Sequence, residues 1–151
     1  TTDIAPTILS LIGNDIPDYV DGVSLSDYMK INNNDKHLHA YFETGIWLAT
    51  PPGTDPDHVV YPEILELLEI PDIEAGTLSI KEKYYALIIS ARDRMIRNEK
   101  WKLVYLPMKG TDRFLLFNLD NDKSCKNDVA GDHPEIVKEL KTMLMTTMKK
   151  D

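Results

Sequence analysis

Carboxylates crowd the stretch FLLFNLDNDKSCKND (residues 114–128) as they do in calcium loops. With Asp120 at the first position of such a loop, Asp122 and Ser124 fall at the third and fifth. Cys125 then stands sixth, where the sharp turn needs glycine, and Gly131 twelfth, where a bidentate Glu is needed. Two failures make this stretch a strand-to-helix connection instead. Cys125 has Lys123 and Lys126 beside it, which favours thiolate, but no orienting histidine is in view, so it reads as a free thiol in a turn. His37 and His39 would face one side of a strand and, with Asp35 or Glu43, could hold zinc. No second close ligand pair accompanies them; they are weak metal candidates, and edge-strand histidines are the plainer alternative. His58 lies in a Pro-rich stretch and His133 precedes a helix start. Arg92, Arg94 and Arg97 cluster, fit for a carboxylate or a sulfate; a solvated strand face, or pairing with nearby acids such as Asp93 and Glu99, is the plainer alternative. The sequence has no Gly-rich phosphate loop, no GxSxG elbow and no HExxH pair. By themselves these residues assemble no active site.

The elements that must hold these groups are partly legible. In TTDIAPTILSLIGND, Asp3 or Thr2 is expected to cap a helix whose first turn tolerates Pro6. Ile4, Ile8, Leu11 and Ile12 recur at helical spacing, and Gly13 supplies the left-handed residue that ends the helix. A chain that opens on a capped apolar helix is expected to be cut from something larger, because that face needs a surface to bury against. Ser24 or Ser26 could cap a short helix through Met29, followed by a polar loop over residues 30–36. Residues 37–44 alternate as a strand. Residues 45–80 form a Pro-rich insertion, expected to be extended and loop-like, with a short helix over residues 63–69. Residues 84–97 suit a helix end followed by a strand, or one long strand. Trp101–Leu106 and residues 113–119 alternate as two strands that pair antiparallel. Pro134 opens a last helix, in which Ile136, Val137, Leu140, Met143, Leu144 and Met148 make one apolar stripe, with Lys149 and Lys150 at its end. The pattern predicts an α+β fold: a small antiparallel sheet of about four strands with the C-terminal helix packed on one face.

The chain has 151 residues, 42% of them hydrophobic, which suits one domain or a large piece of one. A net charge of −8 argues against nucleic acid and against an anionic membrane surface as partner. No apolar run approaches the roughly 18–20 residues that span a bilayer. No signal peptide is visible, but the chain starts at Thr1 without a Met, which leaves an upstream segment open. The single Cys125 leaves the compartment open as well.

Three blocks, in order, resemble the sulfatases, arylsulfatase-like members of the alkaline phosphatase superfamily. DIAPTILSLIG and the following DGVSL resemble a DxxPTxxxLxG helix and a DGxSL turn. RMIRNEKWKLVYLP resembles an Arg-containing strand that turns into a W/Y-K-L-x-Y strand. FLLFNLDNDKSCKNDVAGDHPEIVKELKTML resembles the ending LYDLxxDPxExxNLA, a spacer and a helix. Lys123 departs from the usual Pro, and Ser124-Cys125 from the common Gly-Glu. The resemblance implies that residues 1–36 close a large α/β domain, with an N-terminal helix belonging to it, and that residues 37–151 are a C-terminal α+β subdomain carrying the insertion.

The same resemblance implies a parent enzyme that hydrolyses sulfate esters with a formylglycine and a divalent cation, usually Ca²⁺. The family's nucleophile motif, C/S-x-P-S/A-R, and its metal ligands lie upstream and match no residue here, so no catalytic residue and no cofactor is assigned to this chain. Its expected partner is the missing N-terminal catalytic domain, with a homo-oligomer also compatible. A periplasmic or secreted setting follows from the resemblance alone. Trp47 and His58, in the Pro-rich stretch over residues 44–61, are the candidates for a substrate-pocket loop, by length and by aromatic and histidine content. A surface insertion or a subunit contact is the plainer alternative. Two other functions stay open. One is the same region of a phosphonate monoester hydrolase or a phosphoethanolamine or phosphoglycerol transferase. The other is a stand-alone interaction module that uses the helix bearing Ile4 and Ile12.

Overall fold

The computed structural model describes residues 2–29, 38–47 and 49–148. The chain divides into two compact units, Thr1–Leu38 and His39–Asp151. In the first, α1 (Ile4–Leu11) ends at Gly13, whose φ of +78° is the left-handed conformation the sequence predicts. The cap differs from expectation: Asp3 makes no side-chain bond to the helix. Its Oδ1 instead accepts the Val23 N–H at 2.7 Å, across a turn at Gly22 where a Cβ would come within 2.7 Å of the Thr2 backbone. The aspartate therefore ties the returning chain to the helix start. Thr7 completes the tie: its hydroxyl donates to Asp3 O and accepts from Leu25 N at 2.9 Å. Ser26, which opens α2 (Ser26–Met29), shares a hydrogen bond of 2.9 Å with Ser10. Ile4, Ile8, Leu11 and Ile12 stay exposed.

The second unit is built on a four-stranded antiparallel sheet in the order β1-β4-β5-β6, with β1 Ala40–Glu43, β4 Arg94–Arg97, β5 Trp101–Leu106 and β6 Arg113–Asn118. Alternation places Tyr41, Ile96, Leu103 and Leu116 in one cross-strand row. The last helix, α5 (Pro134–Met148), lays Leu140 and Leu144 on that face, and these two form the core with Ile96, Leu103, Tyr105 and Leu116. Lys149 and Lys150 lie outside the described residues. No helix among the described residues is long and apolar enough to cross a membrane.

Residues 84–97 resolve into α4 (Tyr85–Ser90), preceded by a 3-10 turn over Glu82–Tyr84, and the strand β4. The insertion is more ordered than its prolines suggest. A short helix, α3 (Ile64–Leu67), runs into a hairpin of β2 (Leu68–Asp72) and β3 (Thr77–Ile80). Pro71 hides β2 in the sequence, because a proline argues against a strand. Here the hairpin has two strands only, and the register shifts between Glu69 and Asp72, where the missing N–H is tolerated.

The acidic loop connects β6 to α5. Asp122 accepts the N–H groups of Asn127 and Lys126 at 2.8 and 2.7 Å, and these bonds, that of Asn127 foremost, lower its carboxyl below the ordinary range. Asp128 accepts from Leu116 N and Ala130 N, both at 3.0 Å, and so anchors the loop to β6. Cys125 sits at φ +52°, the left-handed conformation that a side chain disfavours. Cys125→Gly should therefore stabilise the protein by about 0.5–1 kcal/mol. A rise in the urea midpoint with unchanged slope checks this; a lower midpoint would mean the thiol's packing outweighs the relieved backbone.

Candidate functional site

The groups that could act together gather where β1 leaves the sheet and β4 enters it. Thr44 and Asp93 extend the β1–β4 ladder by one step, with Thr44 N donating to Asp93 O at 2.9 Å and Asp93 N to Thr44 Oγ1 at 3.0 Å. The carboxylate of Asp93 is thereby fixed at the sheet's end. The Pro-rich stretch comes back over it. Val59 N donates to Pro107 O, and Lys109 N to Asp57 O, at 2.9 and 2.8 Å, so this segment pairs with the chain that follows β5.

His58, 3% exposed, lies between these two attachments. Its Nδ1 is 2.6 Å from Val59 O and its Nε2 2.7 Å from Asp93 Oδ1. A carbonyl oxygen faces one ring nitrogen and a carboxylate oxygen the other, so the ring is held from both sides. Charge-assisted bonds of this kind are about twice as strong as neutral ones. His58 thus clamps the Pro-rich stretch to the head of β4. Trp47, half-buried, packs on the clamp with its ring centroid 5.3 Å from His58 and 5.8 Å from Tyr61. Its backbone N–H donates to the Tyr61 hydroxyl. The structure therefore brings the two sequence-predicted residues together, one as a buried fastener and the other as the partly open ring above it.

On the opposite face of the same strand ends lies a second charged group. Glu43 receives the Arg92 guanidinium, lies 3.4 Å from Arg94 Nε, and accepts the Tyr41 hydroxyl at 2.9 Å. Arg94 is 6% exposed and also donates to Arg92 O and Ile89 O at 3.0 and 2.7 Å. Of the readings open for the arginines, pairing with a nearby acid holds for Arg92 and Arg94, but the acid is neither Asp93 nor Glu99. Arg92 and Arg94 take Glu43, because Asp93 points to the other face and is held by His58, while Arg97 is exposed. Burial, and then the bond to Glu43, push the Tyr41 hydroxyl up to about 12. A raised value favours the protonated folded form, so this contribution to stability is complete below the ordinary value of 10.0 and is lost as pH rises towards 12. Alkaline titration followed by tyrosinate absorbance should show a late step that Tyr41→Phe removes. An unchanged titration in that variant would contradict the assignment.

Other candidates stand apart. His133 packs against Trp101 in a tilted ring contact, centroids 4.9 Å apart, just before α5. His39 precedes β1, and His37 lies outside the described residues. Among the described residues no three His, Cys, Asp or Glu side chains converge on a metal position. Cys125 is followed by Lys-Asn-Asp, which does not fit a formylglycine motif. The described residues therefore do not form a holder for the cation or the formylglycine that the resemblance implies. Sequence reasoning missed Asp93, Thr44 and Tyr61 as parts of the cluster. No local signal marked the fold-over: the prolines predict an extended stretch, and its return rests on pairing with the chain after β5.

No family model and no curated protein matches the chain. Solved structures do match it. BT4656, in complex with its substrate D-glucosamine-2-N,6-O-disulfate, is 21% identical with a TM-score of 0.56; the match covers 97% of this chain and 23% of that one. A protein described as a sulfatase, yidJ from Bacteroides fragilis, is 18% identical with a TM-score of 0.60, over 98% of this chain and 24% of its own. The phosphonate monoester hydrolase SpPMH from Silicibacter pomeroyi is 20% identical with a TM-score of 0.55, over 98% and 24%. The chain thus has the fold of a region found in sulfatases and in a phosphonate monoester hydrolase. It spans about a quarter of the length of these structures.

Proposed function

We propose that this chain is the C-terminal, supporting part of a sulfatase-like hydrolase acting on sulfate esters, and that it has no turnover alone. The observation that carries the proposal is the fold match along nearly the whole chain to about a quarter of each sulfatase-like structure, together with the three sequence blocks. In this proposal residues 1–36 complete the large domain and residues 37–151 form the subdomain beside it. The large domain holds the formylglycine and the divalent cation, which supply the nucleophile and its activation. This chain's own residues position and shape. Trp47 presents its ring to the substrate pocket, and His58 acts through Trp47 by clamping the stretch to Asp93. The likeness to SpPMH supports a second possibility, a phosphonate or phosphate ester, because both ester classes present a tetrahedral anion. Assays of the enzyme containing this chain against p-nitrophenyl sulfate and p-nitrophenyl phenylphosphonate separate the two. Turnover of the sulfate ester is expected from the whole enzyme and none from residues 1–151 alone. Turnover by the isolated chain would overturn the proposal.

A further inference from the structure

The arm made of α3 and the β2–β3 hairpin carries large apolar side chains that stay exposed among the described residues. Leu65 is 88% exposed, Ile70 55%, Ile73 86% and Leu78 63%. A two-stranded hairpin is marginal in water by itself, and exposed apolar clusters of this kind mark contact surfaces. The arm is also acidic: residues 63–80 hold Glu63, Glu66, Glu69, Asp72 and Glu74 and no Lys or Arg. A surface that covers it should therefore be apolar with basic groups at its rim.

The second unit has such a surface on the sheet face turned away from α5. Phe42, Met95, Val104 and Leu115 are register partners in one apolar row across all four strands. Cover on this face thins towards β1, from Phe117 at 7% exposed to Phe42 at 57%. In the next row Arg97 stands directly opposite Lys102. Like charges in cross-strand register repel, and an external carboxylate would relieve them. Among the described residues neither has a carboxylate within ion-pair distance. On the arm, Glu69 and Glu74 likewise form no ion pair among the described residues.

We propose that the β2–β3 arm of one chain docks on the outer sheet face of a second copy, with its apolar side chains on Phe42 and Met95 and its carboxylates on Arg97 and Lys102. Two such contacts related by a two-fold axis close a dimer by reciprocal exchange. Charge complementarity between arm and face selects this occupant over an uncharged one.

Sedimentation velocity at micromolar concentrations tests it. The chain should form a dimer that added salt weakens. Ile73→Asp, the pair Glu69→Lys with Glu74→Lys, and the pair Arg97→Glu with Lys102→Glu should each raise the dissociation constant roughly tenfold or more. Combining both charge-reversed pairs should restore the dimer. Arm substitutions sit on exposed positions and keep the test decisive if the sheet variant fails to fold. A chain that is monomeric throughout, or a dimer that the arm variants leave unchanged, would overturn the proposal and give the arm to a different partner.

Discussion

Glu43→Gln should destabilise the second unit by about 3 kcal/mol, since removing one partner of a buried ion pair leaves the other charge uncompensated. The substitution keeps the shape and removes the charge that faces Arg92 and Arg94. Arg94 is almost wholly buried, so water does not replace the lost carboxylate. Glu43 itself retains 27% side-chain exposure, which places the effect at the lower end of the range for buried pairs. For a chain of this length the thermal midpoint should fall by roughly 6–12 °C. Removing both charges with Glu43→Gln and Arg94→Met should cost less than the sum of the single changes, and a double-mutant cycle in urea measures the difference. Additive effects would mean that the carboxylate and the guanidinium do not depend on one another.

Trp47→Ala in the whole enzyme should lower kcat/KM by roughly 10- to 100-fold, which corresponds to about 1.4–2.7 kcal/mol of lost contact with the bound substrate. Trp47→Phe should recover most of the loss, because it keeps an aromatic face over His58. His58→Asn should act differently. It breaks the bond to Asp93 and loosens the whole stretch over residues 44–61, so both kcat/KM and the thermal midpoint should fall. An unchanged kcat/KM in Trp47→Ala, with the protein folded by circular dichroism, would remove Trp47 from the pocket and leave the cluster as a fastener alone.

Local pattern carried some elements into view and not others. The stripe of α5 and the alternation of β5 and β6 follow from local periodicity, and the core of Leu103, Leu116, Leu140 and Leu144 lies on those positions. The α+β class was legible for the same reason. The β2–β3 hairpin was not, because Pro71 and the register shift break the alternation that marks a strand. Asp3 shows the limit of a local rule: it has the right residue type at the helix start, but a chain segment returning 20 residues later claims its carboxylate. The candidate site was legible only as residue types. His58 and Asp93 are 35 residues apart and meet because the stretch around His58 pairs with the chain after β5, beside the head of β4. The choice of Glu43 over Asp93 by the arginines depends on which sheet face each residue occupies, and this needs the register.

The proposed role stands most directly on what is encoded ahead of Thr1, and sequencing that region in the source gene is the first measurement to make. A C/S-x-P-S/A-R motif, with paired aspartates near the start of the same reading frame, is the expected result. It would place the nucleophile and the metal ligands upstream and leave this chain its supporting part. A stop codon or an unrelated domain in that position would contradict the proposal and favour an interaction module built on the exposed apolar faces of α1 and the β2–β3 arm.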